Sequence, residues 1–360
     1  MKVSKKIIRV LLAFLFVGHS GVVLTQSKTP ILDPEATLVK LAFGSCADEE
    51  KPQPIWSTII QYKPQLFLFL GDNVYGDKIA GQRVRKRFLE KSLLNAYQKA
   101  EKNQPEFNKF RQTTPHMMIW DDHDYGANDA GRELPFKEKS KTAFLDFWKV
   151  GVADIRRERD GIYYSKTYGP QGRKIQIIML DTRTFRSGLR LSNSRLPGQG
   201  PYRPNEDIST TILGKKQWRW LKKVLKEKAD IRFIVSSVQV IANQHKWEKW
   251  GNFPHERQKL YSLLVQYQLK NVFFISGDRH FGAIYQEKIN DVVTPVEITA
   301  SSLTNPFSGK EIPDSSRIGR IYSKINFGSV EIDWKNKKLI LNIRNLVGMP
   351  VISKTVQLFL

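Results

Sequence analysis

Leu66-Phe67-Leu68-Phe69-Leu70-Gly71-Asp72-Asn73 is a run of five apolar residues stopped by a glycine and an acid. A run that short, apolar at every position and bounded by turn residues, predicts a strand buried on both faces. The same form recurs along the chain. Residues 38–43 end in Gly44-Ser45-Cys46, 117–120 in Asp121-Asp122-His123-Asp124, and 175–180 in Asp181-Thr182-Arg183. Residues 231–235 end in Ser236-Ser237, and 272–275 in Ser276-Gly277-Asp278-Arg279-His280. Helices are predicted between them at 54–61, 82–99, 139–150, 213–226 and 255–269. Phe144, Phe147 and Trp148 share a face of the third, and Trp218, Leu221 and Leu225 a face of the fourth. Strands alternating with helices predict a layered α/β fold, in which ligands bind beyond the carboxyl ends of the strands. The tail, 328–334, 339–345 and 350–358, reads as antiparallel strands closing a sheet. The loop 187–211, rich in Ser, Pro, Gly and Arg, is expected to border the site or to be mobile.

Composition narrows the classes. At 360 residues the chain can bury a sizeable core, and its 41% apolar content excludes wholesale disorder. A single cysteine excludes a disulfide scaffold, a four-cysteine zinc site and an iron–sulfur cluster. The 58 Lys and Arg against 35 Asp and Glu leave a net charge of +23, which attracts anions such as phosphate esters, acidic lipid or nucleic acid. Lys2, Lys5, Lys6 and Arg9 precede an apolar run from Val10 to Val17 that is too short to span a bilayer. That form predicts a signal peptide over 1–25. The expectation is therefore an exported protein (periplasmic, secreted or cell-surface), not integral to the membrane after cleavage, with one domain over 26–360.

The strand ends deliver Cys46, Asp72, Tyr75, Asp121, Asp122, His123, Asp124, Asp278 and His280. Each has a bland reading by itself. Gly-Asp is ordinary turn chemistry, a lone cysteine fills cores, and an acidic stretch can be a solvated loop. Together they form a set of hard oxygen donors with imidazole, one thiol and one phenol. Clustered carboxylates repel unless a cation neutralises them. This donor mix suits a pair of hard cations better than a structural zinc, and such a pair can clamp both oxygens of a phosphoryl transfer.

Several of these motifs match one family. Phe43-Gly44-Ser45-Cys46, Leu70-Gly71-Asp72-Asn73-Val74-Tyr75-Gly76-Asp77, Trp120-Asp121-Asp122-His123-Asp124-Tyr125-Gly126 and Ser276-Gly277-Asp278-Arg279-His280 resemble the PhoD-like (alkaline phosphatase D) metallophosphatases of the calcineurin-like superfamily. Leu180 to Arg186, Gln217-Trp218 and Ser236-Ser237-Val238-Gln239 extend the match in order along most of the chain. The resemblance implies a four-layer α/β/β/α sandwich of two mixed sheets flanked by helices. It implies phosphate-ester hydrolysis at alkaline pH with Fe3+ and Ca2+. Cys46, Asp72, Tyr75 and His280 would hold the ferric ion. Asp72 would bridge to a second metal region using Asp122 and Asp278, with Asn128 assisting. His123 would be the acid for the leaving group, and Arg183, Arg186 and Arg279 are candidates to contact phosphate.

The expected partner is a phosphate-ester substrate, with no obligate protein partner. The basic surface suits association with an anionic polymer or a membrane surface. Two alternatives stay open: a phosphodiesterase or phospholipase on the same metal core, and a non-catalytic binder of an acidic partner. A pure binder would not need the ligand set.

Overall fold

The computed structural model describes residues 30–193, 199–309 and 312–360. The predicted leader and part of the loop 187–211 lie outside the described residues. In chain order the first elements are β1 (Lys40–Gly44), α1 (Ile55–Tyr62), β2 (Leu66–Leu70), β3 (Lys78–Ile79), β4 (Gln82–Arg83), α2 (Leu89–Asn103), α3 (Pro105–Thr113) and β5 (His116–Ile119). Then come α4 (Asp122–Tyr125), α5 (Lys137–Phe147), α6 (Ile155–Glu158), β6 (Tyr164–Tyr168), β7 (Ile175–Met179), β8 (Arg190–Leu191), β9 (Tyr202–Arg203), α7 (Gly214–Val224) and β10 (Ile231–Ser236). The last are α8 (Pro254–Gln266), β11 (Val272–Ser276), β12 (Gly282–Gln286), β13 (Val296–Ala300), β14 (Arg317–Tyr322), β15 (Asn326–Asp333), β16 (Lys338–Asn345) and β17 (Pro350–Gln357).

Two mixed sheets carry the fold. The first has the order β17-β16-β15-β1-β2-β5, with β1, β2 and β5 parallel and the tail strands antiparallel. The second has the order β14-β12-β13-β11-β10-β7-β6, with β7, β10, β11 and β13 parallel. Strand alternation explains the layering. Ile177, Phe233 and Ile275 of the second sheet share a core with Phe43 and Leu68 of the first. Their neighbours Ile178, Ile234 and Phe274 point the other way, onto Trp218 and Leu221 of α7 and Leu260 and Leu264 of α8. On the far side of the first sheet, Trp56 of α1 and Phe107 and Phe110 of α3 pack around Phe67 and Phe69 at centroid distances of 5.1–6.2 Å. Helices, sheet, sheet and helices thus stack in the expected four layers. Among the described residues, no helix is long and apolar enough to cross a membrane.

The predicted helix over 82–99 is only half right. The helix starts at Leu89, and Gln82–Arg83 pairs with Lys78–Ile79 instead. Ala80 and Gly81, at φ 49° and 75°, form the tight turn between them. Two left-handed residues in a row suit the right-handed twist of a hairpin. The acidic stretch after β5 is not an open loop either. Asp121 caps a single helical turn, α4, and its own N–H donates to Asp124 Oδ1 at 2.5 Å.

Candidate metal centre

The parallel strands of both sheets bring their carboxyl ends together, and the chain turns sharply as it leaves them. Cys46, Asp72, Asp278 and His280 all have left-handed backbones, with φ of 62°, 49°, 67° and 60°. A residue with a Cβ rarely takes that conformation without support. Here it turns the backbone of each residue sharply at or beyond a strand end. Gly71, at φ 103°, permits the closest approach: a Cβ there would lie 2.5 Å from the Asp121 backbone nitrogen and its Cβ.

Three sets of donor atoms converge, each within 4.8 Å. They are Cys46, Asp72 and His280; Asp72, Asp122 and His123; and Asp121, Asp122 and Asp278. Asp72 belongs to the first two sets and Asp122 to the last two, so a chain of adjoining cation positions runs through the site. Cys46 Sγ lies 3.4 Å from Asp72 Oδ2, as does Tyr75 Oη, which is also 3.4 Å from His280 Nε2. The four groups expected around one ion are therefore mutual neighbours.

The electrostatics call for positive charge. Burial, then Cys46 and the carboxylates of Asp122 and Asp121, push Asp72 well above the ordinary carboxylate range. Burial and Asp121 do the same to Asp278, and burial pushes the Cys46 thiol up to about 12. Burial holds the His280 imidazole down to about 3, in the neutral form that offers a lone pair. Burial opposes ionisation of Asp122, but His123 and Arg183 hold it below its usual range. Asp121 Oδ2 is buried with no hydrogen-bond partner. An orphaned oxygen among crowded acids, beside a neutral imidazole and a thiol, fits a site built for cations.

His123 lies at one end of this row. Its Nδ1 is 2.5 Å from Asp77 Oδ1, its Nε2 is 3.3 Å from Lys78 Nζ, and its ring stacks on Tyr75 at 4.3 Å. Burial alone would lower its pKa, but the charges of Asp122 and Asp77 outweigh that and raise it. Asp77 was quoted within a motif but given no role by sequence reasoning, and Lys78 was not singled out. Their signal was adjacency to Tyr75, on the turn into the hairpin.

Two of the three candidate arginines are held in buried ion pairs. Arg183 is fully buried. Its Nε donates to Asp121 Oδ1 at 2.7 Å, its Nη2 pairs with the same oxygen, and its Nη1 donates to Glu248 Oε2 at 2.7 Å and to the Ala130 carbonyl at 3.3 Å. With its donors engaged below the surface it cannot grip a substrate phosphate. It holds Asp121, which also accepts from Ser237 Oγ at 2.7 Å. Arg186 is likewise committed, to the Ser187 and Asp129 carbonyls, with Nε 2.8 Å from Glu248 Oε1 but off the hydrogen-bond line. Arg279 is buried near the faces of Trp247 and Phe281. The Asn128 amide donates to Asp129 Oδ2 at 2.6 Å, while the Asp129 N–H anchors Asp122 Oδ2 at 2.7 Å. Asp124 is a brace: Asn73 donates to it from both backbone and side chain. Glu248, and Glu49, which accepts the Tyr75 N–H at 2.8 Å, were missed entirely.

The family model for PhoD-like phosphatases matches residues 41–336. Alkaline phosphatase D of Bacillus subtilis (strain 168) is 22% identical over 229 residues, which cover 55% of this chain and 37% of that protein. The chain thus spans well under half the length of that curated relative. Among solved structures, one of PhoD superposes with a TM-score of 0.70 at 16% identity, covering 91% of this chain and 70% of the other. The purple acid phosphatase PPD1 from yellow lupin (Lupinus luteus) seeds gives 0.61 at 12% identity, covering 91% and 55%. At such identities the likeness is one of fold.

Proposed function

The chain belongs to the PhoD-like phosphatase family, and from that premise we propose that it hydrolyses phosphate monoesters at a cation centre formed by its strand ends. The observation that carries this reading is the run of three donor sets linked through Asp72 and Asp122. Cys46, Asp72, Tyr75 and His280 would hold a ferric ion, since phenol and buried thiol need a strongly charged partner to give up their protons. Asp72, Asp122 and Asp278, with Asp121 beside them, would hold calcium or another divalent ion that prefers oxygen. When bound, the cations supply Lewis acidity to a phosphoryl oxygen and lower the pKa of water.

The protein's own groups do the rest. Asp77 accepts from His123 Nδ1, which leaves Nε2 facing Lys78 Nζ. The charges of Asp122 and Asp77 favour the protonated imidazole of His123, the form that can give a proton to the departing oxygen. Asp121, held by Arg183 and Ser237, keeps Asp122 and Asp278 company in a fixed frame. Export is the reading of the 1–25 segment, and the net charge of +23 supports encounter with anionic substrates.

The test is elemental analysis of the purified protein together with a substrate panel across pH. We expect bound iron, hydrolysis of p-nitrophenyl phosphate that is lost with a chelator, and activity rising toward alkaline pH. Faster turnover of bis-p-nitrophenyl phosphate would move the reading to a diesterase on the same core. Full metal loading without hydrolysis of either ester would overturn it.

A further inference from the structure

We infer that Lys78 is the substrate-binding cation of this site, taking a non-bridging phosphoryl oxygen beside the leaving oxygen that His123 faces; the inference rests on the phosphatase reading above. A row of buried carboxylates repels a phosphate dianion, so bound cations need a positive group on the substrate's open side. Of the arginines that sequence reasoning offers, Arg183 and Arg186 are held in buried pairs, and Arg279 lies near two aromatic faces, its charge acting on Asp278 and His280 rather than beside His123 Nε2. Among the described residues, Lys78 is a cation that reaches His123, with Nζ 3.3 Å from Nε2 and 4.7 Å from the centre of the Tyr75 ring.

Its placement is built into the hairpin. The Lys78 N–H donates to the Tyr75 carbonyl at 3.1 Å, Val84 N–H to the Asp77 carbonyl at 2.8 Å, and Ala80 N–H to Glu50 Oε2 at 2.7 Å. Four consecutive residues thus present an iron-ligand candidate, a turn glycine, the His123 acceptor and an ammonium. The ammonium head of Lys78 lies over the Tyr75 ring, 4.7 Å from its centre, with three donors to share. Two donors 3.3 Å apart match adjacent oxygens of one phosphate group. In that arrangement Lys78 acts on bound phosphate in substrate and product alike, whereas His123 acts only as the leaving oxygen departs.

The distinction is measurable on metal-loaded protein with p-nitrophenyl phosphate as substrate and inorganic phosphate as inhibitor. Lys78→Met keeps an unbranched apolar side chain and removes the charge. It should raise KM and the phosphate inhibition constant roughly 10- to 100-fold, the worth of a charged hydrogen bond, with kcat changing less and metal content equal to wild type. Lys78→Arg should recover much of the loss, and His123→Asn should lower kcat more than Lys78→Met does while weakening phosphate inhibition less. A Lys78→Met protein whose phosphate inhibition constant is within twofold of wild type overturns the inference. So does a loss confined to kcat. If the wild type hydrolyses no phosphate ester, the phosphatase reading has failed instead, and calorimetric binding of inorganic phosphate to the same proteins still decides the role of Lys78.

Discussion

Replacing Glu248 by glutamine takes one charge from a buried cluster of four. Asp121, Arg183, Arg186 and Glu248 are each no more than 2% exposed, two acids set against two guanidinium groups. Glu248 accepts from Arg183 Nη1 at 2.7 Å and lies 2.8 Å from Arg186 Nε. The amide keeps the shape and part of the hydrogen bonding but leaves one guanidinium charge uncompensated in the interior. Breaking a buried pair in this way costs about 3–5 kcal/mol, a large part of the ~5–15 kcal/mol that ordinarily separates folded from unfolded protein. For a chain of this length the melting temperature should fall by roughly 4–7 °C. Thermal melts of metal-loaded protein, followed by circular dichroism, read this directly. Arg186→Met in the same background removes the opposite charge, and the double variant should lose clearly less than the sum of the two single losses. The argument fails if Glu248→Gln melts within about 2 °C of wild type, or if the two losses simply add.

Three further outcomes follow from the site and its surroundings. Asp72→Asn should strip the bridging charge shared by two donor sets; elemental analysis should find less than half the wild-type metal, and turnover should drop at least ~100-fold. Tyr75→Phe removes the phenol that lies 3.4 Å from both Asp72 and His280, so a visible charge-transfer band of iron-loaded protein should shift or bleach; an unchanged spectrum would remove Tyr75 from the ligand set. Burial holds the His116 imidazole, which faces the Thr114 carbonyl at 2.9 Å, down to about 4 from an ordinary 6.5. The unfolded chain takes up that proton below pH 6.5 and the folded chain only near 4. The stability His116 gives is therefore present above 6.5 and lost as pH falls through that window, by ~2–3 kcal/mol at pH 4.5. Urea midpoints at pH 7 and 4.5 should show a shallower acid limb for His116→Asn.

The strand ends were legible because a parallel strand buried on both faces is an unbroken apolar run, and its polar stop marks where a ligand can sit. Cys46, Asp72, Asp122, Asp278 and His280 all follow from that rule, and the structure gathers them. The hairpin 78–83 was not legible: two-residue strands carry no period, and Ala-Gly is a weak turn signal beside a basic stretch that continues into a true helix. The course of Arg183 was not legible for a different reason. A residue four places past a strand end can turn outward or back, and the buried acids Asp121 and Glu248, distant in sequence, decide which. Glu49 and Glu248 lie in segments without any recurrent pattern, so their partners became visible only in three dimensions.

The left-handed backbones at the candidate ligand positions bear on how this protein would respond to selection. A non-glycine residue in that conformation costs roughly 1–2 kcal/mol, and Cys46 and His280 lack the local hydrogen-bonding habit that lets aspartate tolerate it. Bound cations offset the cost; without them it remains as strain in the resting fold. A thermostability screen run in metal-poor medium would therefore favour glycine or asparagine at positions 46 and 280. Its winners would be sturdier proteins that no longer load metal. Directed evolution of this scaffold should accordingly be carried out with iron and a divalent ion present throughout, so that the conformation the ligands require is also the one that survives.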